Sequence, residues 1–127
     1  MKMNIINKKN RHHLFQRTID LWGIEDQVLT AAEECCELAQ ACIQVVTRPN
    51  FEEKFEHLCE EYADVTIMME QLRYIFCKNL RLQEEWDKKV GHYIQFKLHR
   101  LVKRLDKTEE RLKEEADERH DTNPSAR

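Results

Sequence analysis

The residues in this chain best equipped for chemistry are acids in two short strings, Glu33-Glu34-Cys35-Cys36-Glu37 and Glu61-Tyr62-Ala63-Asp64. In each, an acid stands immediately before an apolar residue and the pattern repeats three positions on: Glu34 before Cys35 and Glu37 before Leu38, then Glu61 before Tyr62 and Asp64 before Val65. Residues three apart on a helix are neighbours, with β-carbons about 5–6 Å apart. Each string therefore predicts two carboxylates on one flank of a buried apolar stripe. Two such helices packed antiparallel bring four acids to one edge of their seam. Ionised carboxylates gathered at a partly desolvated edge repel strongly, so the arrangement calls for a neutralising cation or for bound protons. Mg²⁺ suits such a site, because it takes oxygen ligands and shares its shell between a few carboxylates, waters and a substrate's phosphates. Glu34, Glu37, Glu61 and Asp64 are the candidate ligands, for Mg²⁺ or alternatively Mn²⁺. Glu33, one residue off the flank, is the candidate base that orients a water or reaches a second ion. Glu60, the parallel extra acid, ranks below it.

A cationic strip complements the acids. Further along, Trp86, Val90, Ile94, Leu98, Leu101 and Leu105 form an apolar stripe, and the positions just before four of these are Tyr93, Lys97, Arg100 and Arg104. If that flank faces the acids, Lys97 and Arg100 become phosphate contacts opposite a metal wall. Gln27, one heptad before Glu34, is then placed to hydrogen-bond a substrate. This is the layout of metal-assisted hydrolysis of a nucleotide polyphosphate, in which metals stabilise charge on phosphorus and lower the pKa of an attacking water. Simpler readings compete residue by residue. Acidic pairs on long helices are ordinarily solvated, and Lys and Arg beside a core stripe commonly cover it with their methylene stems. His12, His13 and His57 lack ligand partners at metal-site spacing and read as surface or rim. Trp22 and Phe15 read as core more readily than as a base-stacking platform. What lifts the acids above the ordinary is the repeated offset on two helices.

The elements that must carry these residues are all helical. With 35% charged residues and only two glycines and two prolines in 127 residues, the composition favours long helices in one domain. Phe15, Ile19 and Trp22 mark a short first helix stopped by Gly23. A second runs from about Ile24 to Val46 with Val28, Ala32, Cys35, Leu38 or Ala39, Cys42 and Val45 as its buried stripe. Thr47-Arg48-Pro49-Asn50 ends it, since proline cannot continue a helix, and Asn50 is a fair N-cap for the next. The third has the cleanest period, Phe51, Phe55, Leu58, Tyr62, Val65, Met69, Leu72 and Phe76, suited to bundle packing. A break around residues 78–81 leads to the fourth. Beyond Leu105 charges dominate, and such a segment buries too little apolar surface to offset its ordering entropy. It predicts a fraying helix and then a disordered tail. The expected layout is a polar arm over 1–11, a helical domain over 12–105 and a charged extension over 106–127.

A net charge of -3 with interspersed signs provides no field for a nucleic acid polymer. No stretch approaches the roughly 20 apolar residues of a membrane span. Residues 1–11 lack the apolar run of a secretory leader, and five cysteines is an odd number, so reduced thiols and a cytoplasmic location are expected. Cys35, Cys36, Cys42, Cys59 and Cys77 fall on or near apolar stripes and read as packing residues.

At its acidic strings the chain resembles the MazG-like all-α nucleoside triphosphate pyrophosphohydrolases, marked by EExxE on one helix and ExxD on the next. The likeness takes in Trp22-Gly23-Ile24-Glu25-Asp26-Gln27 and the run from Asp64 to Leu72, and spans about residues 12–105. It implies a four-to-five-helix bundle completed by oligomerisation into a homodimer or homotetramer. It also implies Mg²⁺ on Glu34, Glu37, Glu61 and Asp64, with Glu33 near the attacking water. The implied reaction hydrolyses a (deoxy)nucleoside triphosphate to the monophosphate and pyrophosphate, for pool cleansing or control of nucleotide levels. The extension after Leu105 lies outside the family pattern. One rival is a non-enzymatic helical adaptor using the third helix as a partner seam. Another is a carboxylate-bridged di-metal bundle, whose Glu-x-x-His pairs are missing from the expected core.

Overall fold

A computed structural model of the chain describes residues 6–122. These form four helices, α1 (Lys8–Trp22), α2 (Ile24–Thr47), α3 (Phe51–Phe76) and α4 (Leu80–Asp121), with no strand among the described residues. None of these helices is long and apolar enough to cross a membrane. The chain divides into two units, Met1–Gln83 and Glu84–Arg127.

In the first unit, α2 and α3 are the principal packing partners and α1 lies against both. The sequence explains each break. Asn7 caps α1, its side chain accepting from the Asn10 N–H at 3.0 Å. Gly23 ends α1 and starts α2 at φ 88° and ψ 160°, a backbone region that only glycine enters without strain. A β-carbon there would meet no atom within 4 Å, so a substitution is charged for its backbone alone. Gly23→Ala is expected to destabilise the protein by about 1–2 kcal/mol, the strain less the unfolded-state entropy alanine removes. A lower urea midpoint at unchanged m-value checks this. Between α2 and α3, Asn50 occupies the predicted cap position, but in the left-handed region (φ 64°) and with no side-chain hydrogen bond to the helix. Its contribution is the reversal of the chain after Pro49 rather than a cap.

The apolar pattern predicts the inward faces only in part: Val28, Leu38 and Val45 of α2 and Leu58, Val65 and Leu72 of α3 are half-buried, but the rest of each stripe is not. On α2, Ala32, Cys35, Ala39 and Cys42 are exposed, while Gln27, Ala31 and Ala41 are buried and Glu34 and Leu38 half-buried. On α3, Phe51, Phe55, Tyr62, Met69 and Phe76 are exposed, and the seam is built on Glu61, Gln71 and Ile75, with Leu58, Val65 and Leu72 half-buried. Small residues, Ala31 and Ala41, let the two helices approach. The acids are therefore members of the seam itself. Trp22, expected in the core, is 62% exposed, whereas Phe15 is buried as expected. Of the five free thiols only Cys77 is buried, so Cys35, Cys36, Cys42 and Cys59 are not packing residues of this unit.

One boundary differs: helix α1 begins at Lys8, within the segment read as a polar arm. Helix α4 continues through the charged extension to Asp121. Glu, Lys, Arg, Leu and Ala are all strong helix formers, and Arg111–Glu115 (3.5 Å) and Glu115–Arg119 (3.8 Å) add pairs four residues apart. Local propensity carries a helix where burial does not. The expected disordered tail falls mainly on residues 123–127, outside the described residues.

Candidate metal centre

Helices α2 and α3 run antiparallel, as two pairings along the seam require: Gln27 meets Gln71 and Glu34 meets Glu61 and Asp64. One carboxylate oxygen from each of Glu34, Glu61 and Asp64 lies within 4.8 Å of the others. In an octahedral Mg²⁺ shell at about 2.0–2.1 Å, opposite ligands stand about 4.2 Å apart and adjacent ones about 2.9 Å, so the three side chains must draw inward, at least two of their pairs to the shorter distance, to share one ion. The donor set is all carboxylate oxygen, the preference of a hard divalent cation. A second observation concerns Glu61, which is 8% exposed. Its Oε2 is buried and has no hydrogen-bond partner among the described residues, whereas buried polar atoms are nearly always satisfied. The residues present thus fit Mg²⁺ or Mn²⁺.

Glu37 is exposed and outside the converging trio, but its charge acts on both Glu34 and Glu61. The Glu34 carboxyl is pushed above the ordinary carboxylate range by desolvation first, then by the charges of Glu37, Asp64, Glu61 and Glu33. Glu61 is raised by desolvation, by the Glu37 and Asp64 charges and by a hydrogen bond with Glu37, while His57 pulls it down. His57 Nδ1 lies 3.5 Å from Glu61 Oε1, so this histidine does have an acidic partner at the site. The signal available in the sequence was the four-residue spacing from His57 to Glu61.

A raised carboxyl means that the folded state holds its proton more tightly than the unfolded state does. The sign is therefore opposite to that of a salt-bridged acid: stability is lost as pH rises from the ordinary carboxylate value of 4.5 through the raised values. In chelator, the wild-type Tm is expected to fall relative to that of a Glu34→Gln/Glu61→Gln variant as pH rises across that window. Mg²⁺ should remove the difference. Calorimetric scans at several pH values check this, and parallel curves in chelator would mean that the acids do not repel.

The remaining sequence candidates lie as follows. Gln27 is buried, its Oε1 accepting from Gln71 Nε2 at 2.7 Å. Its own Nε2 has only a long contact, 3.5 Å, to Asp26 Oδ2. Gln27 also lines a cavity of about 640 Å³ with Phe15, Thr18, Trp22, Met68 and Gln71. The cavity reaches Thr30 and Ile67, one turn from Glu34 and from Asp64 respectively. Glu33 is exposed on α2 beside Glu34, and Glu60 is 3.9 Å from His57. Lys97 and Arg100 stand three residues apart on exposed α4, within the second unit. His12 is half-buried with its ring 5.2 Å from that of Tyr74, and His13 is exposed. Comparison with family models, with curated proteins and with solved structures returns no match.

Proposed function

We propose that the protein is a Mg²⁺-dependent hydrolase that cleaves a (deoxy)nucleoside triphosphate between its α and β phosphates, releasing the monophosphate and pyrophosphate. The observation that carries this reading is the convergence of Glu34, Glu61 and Asp64 at mid-seam, with the buried Glu61 Oε2 left without a partner. Such a cluster costs stability, and a functional ion is the simplest reason for a fold to retain it. The resemblance of the two acidic strings to the MazG-like enzymes supports the same reaction.

Glu34, Glu37, Glu61 and Asp64 hold the ion in this reading. A bound divalent ion supplies neutralisation of phosphate charge and acidifies a coordinated water. Glu33 accepts a proton as the water's oxygen bonds to the α-phosphorus and the bond to the bridging oxygen breaks. The cavity beside the seam receives the nucleoside, where Gln27 Nε2, held only by its long contact to Asp26 Oδ2, can turn to a substrate.

The enzyme acts in the cytoplasm as a homodimer or homotetramer, an assembly that would cover Ile43 and Val46 on α2 and Phe51, Phe55 and Tyr62 on α3, all exposed. The same exposed face favours the adaptor as second reading, in which the acids are dispensable. A pyrophosphate-release screen across the common ribo- and deoxyribonucleoside triphosphates, with Mg²⁺ and with chelator, separates the two. Release that needs Mg²⁺ supports the enzyme, and no release from any substrate removes it.

A further inference from the structure

Glu61 is the buried member of the converging acids, its side chain 10% exposed, and its two carboxylate oxygens have different surroundings. Oε2 is buried and has no hydrogen-bond partner among the described residues. Oε1 lies 3.5 Å from Nδ1 of His57, one turn earlier on α3. The other side chains whose charges act on Glu61 are the acids Glu37 and Asp64. His57 therefore brings a donor to a carboxylate otherwise faced by like charge.

A glutamate's last torsion is broad and roughly two-fold, so an unheld carboxylate turns and exchanges the places of its oxygens. Holding one oxygen fixes the plane of the group and, with it, the place of the other. His57 is suited to do this, since residues four apart on a helix are neighbours. In the tautomer that carries its proton on Nδ1, the neutral ring donates N–H toward Oε1. A small turn of the ring brings the 3.5 Å contact to hydrogen-bond length. Nδ1 also lies 3.9 Å from Glu60 Oε2, but the Glu60 side chain is 75% exposed. Water competes for an acid so placed, and it does not compete in the same way for the buried Glu61.

We infer that His57 is a positioning residue for the divalent-ion site: it holds Oε1 of Glu61 and thereby keeps Oε2 available to an ion shared with Glu34 and Asp64. The inference rests on the reading of this cluster as an ion site and adds to it a side chain that touches neither ion nor substrate. Ligands are regularly held by such outer partners, and loss of one weakens metal binding by about 10–100-fold. An ordinary helical pair between a rim histidine and a glutamate would leave ion affinity unchanged.

The probe is Mn²⁺, whose free aqueous ion gives a paramagnetic resonance signal that is lost on binding, so bound ion is counted without turnover. The full chain is titrated with Mn²⁺ as wild type and as His57→Phe, His57→Leu and His57→Gln, at one pH and without nucleotide. Phenylalanine keeps the shape of a ring and leucine favours the helix, but neither side chain donates, whereas the glutamine amide does. The two donor-free variants should bind with Kd raised at least about 10-fold, at wild-type helicity by circular dichroism. The glutamine variant should bind close to the wild-type value. Unchanged affinity in the donor-free variants, or equal weakening in the glutamine variant, would overturn the positioning role and leave the ion site standing. Absence of saturable binding by the wild type would remove the site and this role together.

Discussion

Asp64→Asn is expected to lower pyrophosphate release by at least about 100-fold, since even groups one shell removed from a metal cost 10–100-fold when lost. Asparagine keeps the size of the side chain and one of its oxygens but removes the charge that draws a divalent ion. The cluster of Glu34, Glu61 and Asp64 then has two carboxylates where three converged. Folding should not suffer, because the lost charge is one that raised the carboxyls of Glu34 and Glu61. The variant's Tm in chelator should equal or exceed that of the wild type, and Mg²⁺ should raise it less. Loss of turnover together with retained helicity identifies a ligand. Full turnover by folded Asp64→Asn protein would remove these acids from the chemistry.

Gln71→Leu should strongly destabilise the first unit while leaving the acids untouched. Gln71 is 2% exposed, and its Nε2 donates to both Thr18 Oγ1 and Gln27 Oε1 at 2.7 Å. It thereby ties α3 to α1 and α2 at one point. Leucine fills similar space but deprives the buried Gln27 carbonyl of its donor, and an orphaned buried acceptor costs about 1–3 kcal/mol on top of the lost bonds. A fall in Tm on the order of 10 °C follows for a unit of this size. Gln27→Leu combined with Gln71→Leu removes both partners and should recover much of the loss, which a double-mutant cycle measures. Additive losses would show that the two amides act separately.

Much of the backbone was legible because its punctuation is local. Gly23 and Pro49 mark where the chain must turn whatever surrounds it, and the observed breaks fall there. The meeting of acids on α2 and α3 was legible for a similar reason, since a three-residue spacing and an antiparallel pairing leave them few other places to go. Which face turns inward was not legible. Helical periodicity identifies an apolar stripe, and burying it is the default; here Tyr62 and Cys35 stay outside while Glu61 and Gln71 go in. A seam built on polar residues and alanine is silent to a hydrophobic period, and its members declare themselves only through partners such as Gln27 with Gln71. How far α4 runs as a helix was not legible, because an entropy argument about burial says nothing of helix formers pairing four residues apart, as Arg111 and Glu115 do.

The turn Arg48-Pro49-Asn50 joins α2 to α3 with three residues, and its brevity has a consequence for biogenesis. All three converging carboxylates lie between positions 34 and 64 on one hairpin, so their meeting requires contacts only between near neighbours in the chain, the kind that form fastest. A nascent polypeptide can form this hairpin while α4 is still being added. Assembly of the acidic cluster and translation can therefore overlap in time.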